Sequence, residues 1–266
     1  MIEPSHVMMP TFRTPAWIAT ACVVAWAACA APAQAALVLN GTRVIFPEQS
    51  RDVTIRMENV SSRPVLAQSW IDDGRVDVPP ERLRTPFVVA PAVLRVEPGR
   101  SAVLRITYMQ DQPLPGDRES VFWLNVLEAP SVQQDADENQ LRFSFRTRIK
   151  LFYRPAALAD GVDGAPDRLT WKVVKSTSPD GSRASGETRI ALEVNNPTPY
   201  FVSFGRVESD VGGTFVSAGG GMVAPFATER FPLRGVAALP HRPATVRYMT
   251  IDDYGGRSTI TKKMAD

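Results

Sequence analysis

The sequence of 266 residues has few groups that could bind a metal or serve as nucleophiles: two cysteines and two histidines. Cys22, Cys29 and His6 all lie within the first 35 residues. Without that segment the chain has no disulfide, no thiol nucleophile and no cysteine ligand for a metal. His241 is then the single histidine, and its proline-flanked position is typical of a surface loop. Zinc sites usually need more than one histidine, and a serine hydrolase triad would have to use this one. We therefore predict no metal site and no catalytic residues.

The chain also lacks a charge of one dominant sign and a phosphate-binding loop. The formal net charge is only +2, which is too balanced for a dedicated nucleic-acid binder. Neither Gly212-Gly213 nor the stretch 219–221 is followed by Lys-Ser/Thr or by a helical pattern. We interpret both glycine groups as hairpin turns, and we predict no cofactor.

One apolar run, residues 15–29, stands out near the start. It is interrupted by Thr20 and is shorter than the ~20 residues that span a membrane. Arg13 precedes it and Ala33-Gln34-Ala35 follows it, which is the pattern of a secretory signal peptide. A membrane anchor is the alternative. We expect cleavage before Ala36 and no membrane insertion afterwards.

Three methionines could begin translation. Glu3 and His6 are unusual in a basic leader, whereas Met8 or Met9 would begin a Met-Pro-Thr-Phe-Arg leader. The sequence leaves Met1, Met8 and Met9 open, and we expect one of the later two.

The part after residue 35 alternates apolar and polar residues, the two-residue period of half-buried strands. Prolines and glycines break this pattern into short segments, and no helical stretch competes with it. The alternating apolar positions include Val53, Ile55 and Met57; Ala102, Leu104, Ile106 and Tyr108; and Leu141, Phe143 and Phe145. This pattern predicts an all-β fold of the sandwich type.

A small, glycine-rich segment bounded by prolines, residues 155–166, is typical of an interdomain connection. We therefore predict two β-sandwich domains, 36–155 and 156–266. The polar stretch 131–140 is predicted to be a loop.

Five blocks in order carry a resemblance to a known family. They are 114–131 (LPGDRESVFWLNVLEAPS), 147–155 (TRIKLFYRP), 42–46 (TRVIF), 96–99 (VEPG) and 251–256 (IDDYGG). The chain resembles the periplasmic pilus-assembly (fimbrial) chaperones, which are PapD-like, and the ten-residue loop resembles their short-loop type. Ala129 departs from the family pattern, which usually has a larger aliphatic residue before the proline.

The resemblance implies two immunoglobulin-like domains set at an angle, with a cleft between them, and no catalysis. It implies a periplasmic protein that binds pilin subunits by donor-strand complementation and delivers them to an outer-membrane usher. The apolar strand would be exposed in the free protein, which favours self-association, and the sequence leaves open whether the free form is a monomer or a self-capping homodimer.

The resemblance also implies roles for nine residues. The donor strand would present Leu141, Phe143, Phe145 and Ile149 to the client. Arg43 and Lys150 would bind the carboxylate at the pilin C terminus, and Glu119, Arg154 and Asp253 would form an interdomain ionic network. Periodicity alone leaves open whether the strand faces a client or its own core, and scattered charges are usually unrelated surface groups.

The alternative is a secreted two-domain β-sandwich that binds glycans, which would need exposed aromatic side chains along one face. Trp70, Trp123 and Trp171 lie in alternating strand patterns, so we predict that they belong to the core. An enzyme would need a constellation of pocket residues, and Glu119 and Asp253 are better explained as structural.

Overall fold

A computed structural model describes residues 36–130, 143–176, 189–236 and 244–264. The leader, the 131–140 segment, Leu141 and His241 lie outside these residues, and so do the predictions made for them. The helices of the described part are three-residue 3-10 turns. None of the described residues belongs to a helix with the length and apolar character needed to cross a bilayer.

The described residues form sixteen strands, nine in a first β-sandwich and seven in a second. The first sandwich contains β1 (Leu37–Leu39), β2 (Arg43–Pro47), β3 (Asp52–Asn59), β4 (Val65–Asp72), β5 (Phe87–Ala90), β6 (Val93–Val96), β7 (Ser101–Tyr108), β8 (Ser120–Pro130) and β9 (Phe145–Arg154). The second contains β10 (Thr170–Ser176), β11 (Arg189–Asn195), β12 (Val202–Val211), β13 (Thr214–Val223), β14 (Thr228–Leu233), β15 (Thr245–Ile251) and β16 (Arg257–Lys263). The predicted all-β fold with two sandwiches is confirmed.

The first sandwich packs the sheet β1-β3-β7-β5 against the sheet β2-β9-β8-β4-β6. The first stretch of chain changes sheet: β1 pairs antiparallel with β3, and β2 then pairs parallel with β9. Strand β2 covers the edge of β9 only from Lys150 to Arg154. Within the described ranges, the same edge from Phe145 to Ile149 therefore has no strand beside it.

The core of the first sandwich follows strand parity. On β8, Phe122, Leu124 and Val126 point inward and are buried, so the residues between them point outward. Trp123 is one of these, and it is half-buried on the outer face, as is Trp70 on β4. The prediction that these two tryptophans belong to the core is therefore wrong.

Arginines cover both rings instead. The guanidinium of Arg146 lies 4.9 Å from the ring centroid of Trp70, and that of Arg148 lies 4.5 Å from that of Trp123. A guanidinium over an aromatic face is a favourable cation–π contact.

The second sandwich packs the sheet β10-β11-β14 against the sheet β13-β12-β15-β16. Trp171 is buried in its core, as predicted, beside Phe204 and Tyr248. The connecting segment packs on this core as well: Ala165 is buried, and the Tyr200 hydroxyl donates to the Leu158 carbonyl at 3.2 Å. The connection is thus part of the second sandwich and not a free linker.

The two glycine groups predicted to be turns differ in the structure. Gly212 and Gly213 form the β12–β13 turn with φ of +63° and +88°, as expected. Residues 219–221 lie inside β13, so the turn predicted there is wrong. A Cβ on Gly220 would lie 2.9 Å from the carbonyl oxygen of Phe204, and one on Gly221 would lie 2.8 Å from the Phe231 ring. These glycines allow close packing within a strand.

We predict that Gly221→Ala destabilises the second sandwich by roughly 1–3 kcal/mol, because the added methyl group must displace the buried Phe231 ring. Denaturant unfolding followed by tryptophan fluorescence measures the loss. Gly164→Ala is the control, because a methyl group added there would have no atom within 4 Å. Equal midpoints for the two variants would contradict the packing argument.

Candidate functional site

Arg43 and Lys150 lie side by side because β2 and β9 run parallel with these two residues in register. Both side chains reach the second sandwich. Arg43 Nη1 donates to the Ile251 carbonyl at 2.9 Å, and Lys150 Nζ donates to Ser203 Oγ at 2.9 Å. The structure thus brings the two predicted cations together between the sandwiches.

The positive charge of this pair is only partly compensated. Burial lowers the pKa of Lys150 to about 8, and the neighbouring Arg43 adds to the effect with no carboxylate opposing it. Burial also lowers the pKa of Arg43, against the opposing influence of Asp253 and Asp252. Arg43 Nε is buried without a hydrogen-bond partner among the described residues. An anion would satisfy both side chains.

A cavity of about 320 Å³ adjoins the pair. Its lining includes two further cations, Arg148 and Arg257, which we did not predict from the sequence. Arg148 could have been found, because it lies two residues before Lys150 on the same face of β9. Arg257, at the start of β16, has no such signal.

Arg148 differs from the other cations because its charge is already paired. Its Nη2 lies 2.6 Å from Asp72 Oδ1, and its Nε donates to Asp72 Oδ2 at 2.9 Å. Burial acts to raise the pKa of Asp72, but hydrogen bonds from Arg148 and Asn125 outweigh it and hold that pKa below its usual value. Arg43 and Lys150 remain the cations of this cavity that are both partly buried and without a bound carboxylate in the described structure.

Glu119, Arg154 and Asp253 meet at the seam between the sandwiches. Arg154 Nη2 lies 2.7 Å from Glu119 Oε1, and its Nη1 lies 2.6 Å from Asp253 Oδ2. Glu119 Oε2 accepts a hydrogen bond from the backbone N–H of Phe201 at 2.8 Å. The three residues predicted to form a network are therefore in direct contact, one acid from each sandwich.

The charges in this network are not equally compensated. Burial acts to lower the pKa of Arg154, but the two carboxylates outweigh it and raise that pKa above its usual value. Burial raises the pKa of Glu119, and the nearby Asp253 carboxylate acts in the same direction, against Arg154. One guanidinium therefore serves two acids, and Glu119 depends on it most because its side chain is only 2% exposed.

The donor-strand residues divide into two groups. Phe143 is 63% exposed and Phe145 is 39% exposed, with their ring centroids 6.5 Å apart. Ile149 has the same parity but is 9% exposed and packs in the core of its own sandwich. In the chain without a client, the opposing sheet therefore covers this face of β9 at Ile149. Leu141 lies outside the described residues.

The described residues hold no group of three or more histidine, cysteine or acidic side chains arranged for a metal ion. What the site offers is a pair of partly buried cations, Lys150 in the middle of β9 and Arg43 beside it on β2, and exposed phenylalanines where β9 begins. Such an arrangement can bind an anionic group and, beside it, an apolar extended chain.

Comparison with known proteins identifies the family of the chain. The family profile "Pili and flagellar-assembly chaperone, PapD N-terminal domain" matches residues 36–159, and "Pili assembly chaperone PapD, C-terminal domain" matches residues 164–262. The chaperone protein FimB/FhaD of Bordetella pertussis is 38% identical over 244 residues, which cover 90% of this chain and 93% of the relative.

Two solved structures share the fold over most of the chain. The crystal structure of the CupB2 chaperone of Pseudomonas aeruginosa is 49% identical, with a TM-score of 0.69, and the match covers 86% of this chain and 100% of that one. The SafB chaperone of Salmonella enterica, solved in complex with the SafA pilin, is 25% identical with a TM-score of 0.68, covering 88% and 99%. The chain therefore belongs to the PapD-like family of pilus-assembly chaperones.

Proposed function

We propose that this chaperone binds pilin subunits by lending them β9 and by binding their terminal carboxylate between its two sandwiches. The observation that carries the proposal is the shared strand: the unpaired edge and exposed rings of β9 lead directly to Lys150, beside Arg43. The complex of the related SafB with a pilin supports this role.

The open edge from Phe145 to Ile149 supplies unpaired backbone groups. An extended segment of the client can pair with such an edge. A groove on the client can then receive the rings of Phe143 and Phe145. A pilin that lacks one strand would expose a matching groove, and pairing would cover both surfaces at once.

The cation pair explains how the client would be held at its end. Two adjacent cations that are partly buried repel each other until an anion lies between them. A chain-terminal carboxylate is the anion that an extended peptide carries at its end, and a strand beside β9 would lead it toward Arg43 and Lys150. We assign to Glu119, Arg154 and Asp253 the role of fixing the orientation of the two sandwiches.

The function is non-enzymatic in this family, and we extend that to this chain. The glycan-binding alternative gains nothing from the outward-facing Trp70 and Trp123, because Arg146 and Arg148 cover their rings. Stacking on a sugar would require those arginines to move, and Arg148 is held by Asp72.

We further propose that residues 1–35 direct the chain to the periplasm and are removed there, leaving domains 36–155 and 156–266. In that compartment the loaded chaperone would deliver pilins to an outer-membrane usher. Without a client, two copies would pair through the apolar edge of β9 as a self-capping homodimer, since Phe143 and Phe145 are otherwise exposed to water.

We predict that Arg43→Ala and Lys150→Ala each abolish accumulation of the client in the periplasm while the chaperone stays folded. Each variant removes a charge that binds the carboxylate, at a cost of roughly 2–5 kcal/mol in client affinity if the pair is desolvated. Immunoblotting of periplasmic extracts for client and chaperone measures both effects.

The control for this pair is Arg105→Ala, which removes an exposed arginine from β7 in the other sheet of the first sandwich. It should leave the client level unchanged. Normal client levels in both the Arg43 and the Lys150 variants would reject the assignment.

We predict that Arg154→Ala is more harmful to stability than removal of either Glu119 or Asp253. The variant leaves a buried Glu119 carboxylate without its cation, and breaking a buried pair in this way costs about 3–5 kcal/mol. Thermal unfolding measures the change, and small-angle X-ray scattering reports the orientation of the sandwiches.

Arg95→Ala is the matched control, since Arg95 pairs with Glu97 on the exposed surface of the first sandwich alone and such pairs contribute little to stability. If the Arg154, Glu119 and Asp253 variants all unfold at the wild-type temperature, the network has no structural role.

We predict that Phe143→Glu has two effects at once. It suppresses self-association of the free protein, because it removes an apolar side chain from the edge. It also blocks client binding, because a carboxylate buried in an apolar groove costs several kcal/mol. Size-exclusion chromatography, circular dichroism and a client pull-down measure these outcomes.

Val103→Glu is the control, since Val103 is 54% exposed but lies on β7 in the opposite sheet. It should leave client binding intact. An unfolded or degraded Phe143 variant would show that this side chain supports the core of the chaperone itself.

A further inference from the structure

Glu128 occupies a core-facing position at the end of β8. The row before it is apolar: Phe122, Leu124 and Val126 are buried on the same face. Glu128 itself is only 5% exposed, and its strand neighbours in register are Ala67 and Phe145. A carboxylate in such a row is costly unless it is fully hydrogen-bonded or paired with a positive charge.

The partners of Glu128 are the first two backbone nitrogens of the described chain. Oε2 accepts hydrogen bonds from Ala36 N at 2.9 Å and from Leu37 N at 3.0 Å. Oε1 is buried and has no partner among the described residues. Burial raises the pKa of Glu128, and the two N–H groups only partly oppose it. Within the described structure, Oε1 therefore lacks a donor, and the carboxylate as a whole lacks a positive charge beside it.

Cleavage before Ala36 would supply both a further donor and a positive charge at the Ala36 nitrogen, which already donates a hydrogen bond to Glu128. Hydrolysis of the bond between residues 35 and 36 adds the hydroxyl of water to the Ala35 carbonyl carbon and a proton to the Ala36 nitrogen. That nitrogen takes up a further proton at neutral pH, because a free α-amine has a pKa of about 7.7–8.0. An amide with one N–H becomes an ammonium with three, which can serve Oε1 as well as Oε2.

We propose that Glu128 is the receptor for the α-ammonium group of the processed chain, and that this ion pair secures β1 only after the leader is removed. The inference rests on cleavage before Ala36, which is part of the proposed function. It concerns the backbone N–H of Ala36, for which Glu128 is the acceptor among the described residues. The Ala36 carbonyl accepts a hydrogen bond from Val60 N at 2.9 Å, and the three residues of β1 pair with β3, so Glu128 adds to these contacts at the start of the strand. Glu128 also pairs in register with Phe145, the first residue of β9.

The test compares four proteins that all begin at Ala36: with a free or an acetylated amine, and with Glu128 or Glu128→Gln. Acetylation restores an uncharged amide like that of the precursor. With Glu128 present, it should lower the thermal unfolding midpoint by roughly 4 °C. In the Glu128→Gln pair, the free and acetylated forms should unfold at the same temperature. An equal shift in both backgrounds, or none in either, would overturn the proposal.

A second measurement covers the case in which Glu128→Gln does not fold. In the otherwise unchanged protein, an amine-reactive reagent at pH 7 should modify Ala36 severalfold more slowly than it modifies a free peptide of residues 36–45, because an ion pair with Glu128 keeps the amine protonated. That peptide contains no lysine, so its single amine is the correct reference. Equal rates would overturn the ion pair.

N-terminal sequencing of the exported protein separates this inference from the cleavage on which it rests. A first residue other than Ala36 would overturn the cleavage site and the proposal together. If Ala36 is first but acetylation has no Glu128-dependent effect, the cleavage stands and only the receptor role of Glu128 fails.

Discussion

The parallel pairing of β2 with β9 is the constraint on which the rest of the site depends. It exists because the chain leaves β1 in one sheet and enters β2 in the other. The register puts Arg43 beside Lys150, and the short length of β2 ends its cover of β9 at that residue. The cation pair and the open strand edge are thus two results of one strand exchange.

Two kinds of charge cluster lie along the same strand. Arg154, at the end of β9, is matched by two carboxylates and joins the sandwiches. Four residues earlier, Lys150 has a hydroxyl and a neighbouring arginine in place of an acid. A matched cluster holds the structure in place, whereas an unmatched one is available for a ligand. The second sandwich makes this difference, because it places the Asp253 carboxylate beside Arg154 but the Ser203 hydroxyl beside Lys150.

Much of the fold followed from period-two patterning, and the grouping of Glu119, Arg154 and Asp253 followed from family blocks. The sequence could not predict, at each position of a strand, whether a side chain faces the opposing sheet or the solvent. Ile149 and Phe145 have the same parity, but the opposing sheet covers only the first of them. Trp123 alternates correctly yet faces outward, where an arginine on the neighbouring strand lies over its ring. Gly221 lies in a strand and not in a turn, and the ring of Phe231 on the neighbouring sheet occupies the space that a Cβ at this position would need.

The spacing along β9 has a consequence for client selection. Phe145 lies five residues before Lys150, roughly 16 Å along an extended strand. If the carboxylate of a client is fixed at Lys150, its distance from the phenylalanines is fixed by the chaperone and not by the client. Side chains on a strand alternate between faces, so one residue added at the client's end would place the opposite face of the client's strand beside Phe145. The chaperone would thereby discriminate between subunits by the parity of their last residues, independently of side-chain size.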